Sequence, residues 1–239
     1  MIIETKNDQE RKILSEFKKK VGDLNLEEMT LIRFLIAREF NIEAAENMLR
    51  SSMQWRKDHR MDHIFEWKSP EYLHKDLPYS IPGFDKNGGP VVHIPFGKWN
   101  HRCWVEKGYG EDLLRWGYRL IEDAFQKATS DGLRQCTAIF DLGGISYYQA
   151  AHIPSLKVLY NGFKALEQNY PEMLKSIVIV NAPWLFAIPF NFIKGTISPN
   201  TLSKLKIFDS NKKIWLDYLL ERCPEKSLPK AYFEDQNGN

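Results

Sequence analysis

The chain has only three cysteines in 239 residues, Cys103, Cys136 and Cys223, and no CxxC pair among them. An odd number without regular spacing excludes a disulfide framework and a cysteine-based zinc site, and it fits a reducing compartment. Long apolar runs are also missing. The longest, Ala182 to Phe190, contains Pro183 and Pro189 and falls well short of the ~18 residues a bilayer span needs. The N-terminus from Met1 to Lys12 is polar and has no signal-peptide core. Charge of one sign is scarce too, with 33 basic residues against 31 acidic ones for a net charge of +2. That balance gives no electrostatic case for a nucleic-acid partner, and Lys18, Lys19 and Lys20 are expected to be a solvated helix face.

Motifs for catalysis are equally sparse. His59 and His63 have helix-face spacing but no third ligand at a suggestive distance, so no metal site is expected. Gly108-Tyr109-Gly110 and Gly143-Gly144 do not extend into a phosphate-binding loop. Ser146 lacks the rest of a nucleophile elbow, and Asp141 at a strand end has no partner carboxylate. The expectation is a protein that is not an enzyme and takes no cofactor.

What the chain does have is a clear order of elements. Leu31, Phe34, Leu35 and Arg38 recur at helical spacing, and Ala45, Met48, Leu49 and Ser52 repeat the pattern after Asn41, a good N-cap. The turn formers Asp85 to Pro90 lead directly into Val91-Val92-His93-Ile94, which predicts a strand entered through a tight turn. A helix after Gly110, a strand at Thr137–Leu142, a helix opening at Pro154 and the strand Ile177–Val180 follow. A short strand Leu205–Phe208 and a helix from Asn211 to Glu221 complete the order. Continuous apolar strands alternating with helices predict an α/β fold with a mostly parallel sheet floor covered by helices. We expect a small all-helical N-terminal unit over residues 1–75 and an α/β domain over residues 76–239.

One stretch does not read as ordinary core. From Trp184 through Leu185, Phe186, Ile188, Phe190, Phe192 and Ile193, apolar residues surround any helix the segment forms, and Pro183, Pro189 and Gly195 punctuate it where an element can hinge. This suggests a lid over an apolar ligand, or an apolar face that partitions into a bilayer surface.

Six short motifs in a fixed order resemble the CRAL-TRIO lipid-transfer family. They are Leu31 to Phe40 with Trp55-Arg56, Asp85 to Val91, Asp141 to Gly144, Asn169 to Glu172, Asn181 to Pro183, and Leu228 to Lys230. The resemblance implies a lipid enclosed between a sheet floor and helical walls, with a gate at 184–194. It also implies a phosphoinositide headgroup site at Arg38, Glu172, Thr201 and Lys204. Arg38 on its helix stripe with Glu172 as an ion-pair partner is an equally available reading of the same residues. Where members that hold phosphatidylcholine place polar groups in the cavity, this chain has Ile81, Val92, Cys136 and Ala138, and Phe140 joins them. An unmatched buried polar group costs roughly 1–3 kcal/mol, which disfavours that cargo. The expected ligand is a tocopherol-, retinoid-, carotenoid- or sterol-precursor-like lipid, or phosphatidylinositol, carried by a cytoplasmic protein that meets membranes transiently. The alternative is a lipid-regulated adaptor without net transfer. The usual glycine pair after the last Tyr is replaced by Phe233-Glu234-Asp235, which leaves membrane recruitment to the gate and the headgroup contacts.

Overall fold

The computed structural model describes Thr5, residues 7–130 and residues 134–234. Three helices open the chain: α1 (Asp8–Lys20), α2 (Glu28–Ile36) and α3 (Ile42–Asp58). Asn7 and Asn41 cap α1 and α3, each side chain accepting from a first-turn backbone N–H. The three helices enclose a small core in which Phe17, Phe34, Leu35 and Leu49 are fully buried. Each such side chain contributes about 2–3 kcal/mol.

After α4 (Glu71–Asp76) come β1 (Ser80–Phe84) and β2 (Pro90–Ile94), joined antiparallel through the Asp85 turn. Asp85 is fully buried there, accepting from the backbone of Asn87 and Gly89 and pairing with Lys175 at 2.8 Å. The chain then runs through α5 (His101–Glu106), α6 (Gly110–Thr129), β3 (Cys136–Asp141), α7 (Tyr147–Ala150), α8 (Ile153–Asn169) and β4 (Leu174–Val180). It closes with α9 (Ala187–Ile193), α10 (Pro199–Ser203), β5 (Leu205–Ile207) and α11 (Lys212–Arg222). The five strands lie in the order β1-β2-β3-β4-β5, parallel from β2 onward.

Strand alternation sends side chains to two different places. Val91, Ile139, Val178 and Val180 face Trp215, Leu219 and Cys223 of the closing helical segment in a dry core. Val92, Cys136, Ala138 and Ile177 face α6 and α8 on the other side.

The helical unit is fastened to the α/β part by a buried charged junction. Arg56 of α3 reaches Glu122 of α6 at 3.1 Å and Asp62 at 2.6 Å, and the Tyr170 hydroxyl donates to the same Glu122 carboxylate. Burial works against the Arg56 charge, yet its bonds to Glu122 and Asp62 hold its pKa above the ordinary value. Burial, reinforced by Glu122, raises the Tyr170 pKa. Arg33 of α2 lies buried over the Phe125 ring, with no hydrogen-bond partner at Nε or Nη1 and its pKa lowered to about 10 by burial. Glu122→Gln removes the one carboxylate buried among these arginines. It should cost about 3–5 kcal/mol in urea unfolding, since uncompensated buried charge is the costly outcome.

His93 points into the dry core, edge-on to Tyr232, and burial holds its pKa down to about 4. An unfolded histidine titrates near 6.5, so between pH 6.5 and 4 the unfolded chain takes up a proton that the fold refuses. The His93 contribution is therefore complete above pH 6.5, falls by about 3 kcal/mol by pH 4 and is flat below. Unfolding midpoints at pH 7 and pH 4 should show His93→Gln losing less stability on acidification than the parent.

Candidate functional site

Between the sheet and the pair α6/α8 lies an apolar cavity of about 150 Å³. Its floor is Val92, Ile94, Cys136, Ala138, Phe140 and Ile177, and its walls include Leu113, Leu120 and Ile121 of α6 with Leu159, Phe163 and Leu166 of α8. α6 thus turns an apolar face to the cavity. Ser155 and His101 are the polar residues at its border, and both are engaged elsewhere. Ser155 Oγ pairs with His152 Nδ1 at 2.8 Å, and the two His101 ring nitrogens face the Trp99 and Gln149 carbonyls at 3.2 and 3.4 Å, one of which accepts the N–H of the neutral ring. Burial raises the Cys136 thiol to about 12, so it stays a neutral, weakly polar lining group.

Gly117 and Gly162 sit inside the two wall helices and border the cavity, and a Cβ built on either meets no atom within 4 Å. A helix-interior glycine costs about 1 kcal/mol relative to alanine. Here that cost has no packing reason other than leaving space.

A second apolar space of about 70 Å³ adjoins the first, with Phe140 and Phe163, ring centroids 6.2 Å apart, lining both. It is roofed by Phe186, Pro189, Phe190 and Ile193 of the 184–193 segment. This segment is a short 3-10 turn running into α9, with Pro189 tolerated in the first helical turn. Leu185 is buried in the main core, Ile188 and Phe192 are half-buried, and Trp184 is 82% exposed. The segment therefore has one apolar inner side and a single large aromatic turned outward, instead of being greasy all round. Ile81 does not join the cavity either. It stands on the edge strand β1, beside a shallow groove with Tyr79, Trp116 and Arg119.

A polar cleft of about 470 Å³ lies on the far side of this wall and gathers Arg38, Glu172, Thr201 and Lys204. Glu172 is held in a left-handed conformation (φ 56) after Pro171, where its carbonyl accepts from Gln135 Nε2 at 3.0 Å. Its carboxylate takes Lys204 Nζ at 3.2 Å and Asn200 Nδ2 at 2.7 Å. The Arg38–Glu172 pair, the alternative reading of these residues, does not form. α2 stops at Ile36, and Glu39 and Phe40 turn the chain through positive φ, so Arg38 leaves the apolar stripe and its Nη1 donates to the Ala37 carbonyl. Arg33, five residues earlier, is the buried arginine. The cleft thus holds a Glu172–Lys204 pair and an exposed Arg38 guanidinium, and the carboxylates of Glu39 and Glu167 line it as well. Thr201 lines both the cleft and the space under α9, and Leu166, Met173 and Leu174 separate the cleft from the larger cavity.

The residues considered for catalysis are committed to structure. Asp141 Oδ1 accepts from Gly143 N at 2.9 Å and Asn181 Nδ2 at 2.8 Å, closing the turn after β3. His59 stacks on Trp55 and His63 pairs with Glu66. Among the described residues no group of three or more His, Cys, Asp or Glu is arranged to hold a metal, and no helix is long and apolar enough to cross a membrane.

The CRAL/TRIO domain family matches this chain over residues 74–232. Among curated proteins, Protein real-time of Aedes aegypti is 32% identical over 236 residues, covering 92% of this chain and 36% of its own length. Protein real-time of Drosophila melanogaster is 28% identical over 232 residues, covering 92% of this chain and 35% of its own. The chain therefore spans about a third of the length of these relatives. The crystal structure of Sfh5 superposes with a TM-score of 0.71 at 18% identity, covering 90% of this chain and 85% of that one, which shows the fold.

The glycines give a direct check on the open space. Gly117→Ala and Gly162→Ala should each raise stability by about 1 kcal/mol, because each improves a helix without a clash. A fall in the unfolding midpoint of both would mean that the walls are closer than described.

Proposed function

Because the chain belongs to the CRAL/TRIO domain family, whose members bind hydrophobic lipids, we propose that it encloses one lipid against the β2–β4 floor and passes it between membranes, the 184–193 segment serving as the gate. The observation that carries this is an apolar cavity flanked by two unfilled helix glycines, with no unpaired polar group at its border. A cargo of low polarity, such as a tocopherol, retinoid, carotenoid or sterol precursor, meets no desolvation penalty there.

Pockets for small molecules enclose about 300–1,000 Å³, more than the two apolar spaces of about 150 and 70 Å³ supply. Loading therefore requires the gate to move, and the Phe140–Phe163 boundary with it. Pro183 and Gly195 bracket the moving part, and a Cβ at Gly195 would meet nothing within 4 Å.

The polar cleft serves as a separate phosphoinositide site. Arg38 and Lys204 supply the cations, Glu172 keeps Lys204 in place, and Thr201 offers a hydroxyl at the border with the gate. An anionic headgroup gains charge-assisted bonds there without entering the apolar cavity.

The two sites are tested together by uptake from liposomes. Lys204→Ala combined with Glu172→Ala should abolish phosphoinositide binding and leave neutral-lipid uptake intact, whereas Gly117→Leu should do the reverse. Phosphoinositide binding that survives the double change would reduce Glu172–Lys204 to a structural pair. Uptake of neutral lipid unchanged by Gly117→Leu would remove the cavity from the account.

A further inference from the structure

The apolar cavity has one polar end, and acceptors outnumber donors there. Along α8 the lining runs from Ser155 in the first turn to Leu166, a rise of about 16 Å, and the polar cleft lies beyond Leu166. α5 packs against α8, and its first residue, His101, is close enough to His152 for the two rings to act on each other electrostatically. His101 and Ser155, both buried, therefore share the end of the cavity away from the cleft. Trp99 also borders this space, but its indole N–H is given to the Pro78 carbonyl at 2.8 Å.

Each of the two polar side chains keeps a lone pair over. Burial lowers the His101 pKa, so the ring is neutral and has one N–H. Its nitrogens lie 3.2 and 3.4 Å from the Trp99 and Gln149 carbonyls. Whichever nitrogen carries the proton, the other sets a lone pair against an oxygen with no hydrogen between them. His152 is likewise held neutral by burial, helped by Arg102. Glu106 Oε1 stands 3.9 Å from His152 Nε2, which favours the N–H at that nitrogen and leaves Nδ1 to accept the Ser155 hydroxyl proton at 2.8 Å. Ser155 has then used its only donor, while its oxygen can still accept.

An unmet acceptor in an apolar space is costly, and a ligand removes the cost only by bringing a donor. Hydrocarbons, ethers and carbonyl groups bring none. An ammonium group brings one, but its charge would have to leave water for an apolar cavity. A hydroxyl is the neutral donor that remains.

We propose that His101 and Ser155 form an end-group site for a lipid alcohol, whose hydroxyl donates to one of them while its apolar body lies along α8 toward Leu166. This site rests on the lipid-carrying role proposed above, and it narrows the cargo from low-polarity lipids in general to those with one free hydroxyl.

The full chain is incubated with phosphatidylcholine vesicles containing tetradecanol, its methyl ether or tetradecane, and the lipid retained by the reisolated protein is measured by mass spectrometry. The parent should retain the alcohol about tenfold better than the ether, because a site built around a hydroxyl rejects the analogue that lacks it. Ser155→Ala and His101→Phe should each reduce that preference several-fold and leave tetradecane uptake at the parental level, which also shows that the cavity is intact. Equal retention of alcohol and ether by the parent overturns the proposal, and so does a preference that neither substitution changes. The parental comparison decides the matter even where a variant does not fold. Retention of tetradecane without any preference for the alcohol removes the end-group site alone, whereas a parent that retains none of the three removes the lipid-carrying role and this site with it.

Discussion

A parallel sheet must be covered on both faces, and in this chain only one cover fits closely. On the side of α11, Val91, Ile139, Val178 and Val180 are fully buried against Trp215, Leu219 and Cys223. On the side of α6 and α8, the residues between them in sequence meet a wall that leaves space, because glycine occupies two inward positions. The alternation of β2, β3 and β4 thus packs one face closely and leaves open apolar space on the other. The stability lost by underpacking the second face is recovered elsewhere, in the dry core behind the sheet and in the small core of α1–α3.

Polar groups are sorted by the same logic. The cavity border has none unpaired, the polar cleft sits outside the wall made by Leu166, Met173 and Leu174, and buried charges are paired at two places, Asp85 with Lys175 and Glu122 with Arg56. Tyr170 belongs to two of these places at once. Its hydroxyl is bound at the junction, and it lines the cleft two residues before Glu172. The helical unit and the cleft are therefore fixed by the same turn between α8 and β4.

Much of the architecture was legible in the residues. The cap at Asn41, the start of α8 at Ile153-Pro154 and the unbroken β-branched run of β4 are local signals, and local chemistry decides them. Arg38 was not legible, because its direction depends on two non-glycine residues with positive φ just after it. Helical spacing alone placed it on the stripe of Leu31, Phe34 and Leu35, but α2 ends at Ile36, before that stripe reaches it. Ile81 was placed in the cavity by the family resemblance, whereas on the edge strand β1 of this chain it borders the groove with Tyr79, Trp116 and Arg119. Gly162 was overlooked, although a glycine inside an apolar helix is a readable anomaly. The inward and outward sides of the gate segment required tertiary structure, since apolar residues surround it in sequence.

The central claim is that an apolar lipid occupies the space between the β2–β4 floor and the α6/α8 walls. Organic extraction of the purified protein followed by mass spectrometry addresses it most directly. The account predicts a low-polarity lipid in about one-to-one amount with the protein, reduced by Gly117→Leu. An extract without lipid, from a folded protein that also takes up none from liposomes, would contradict it.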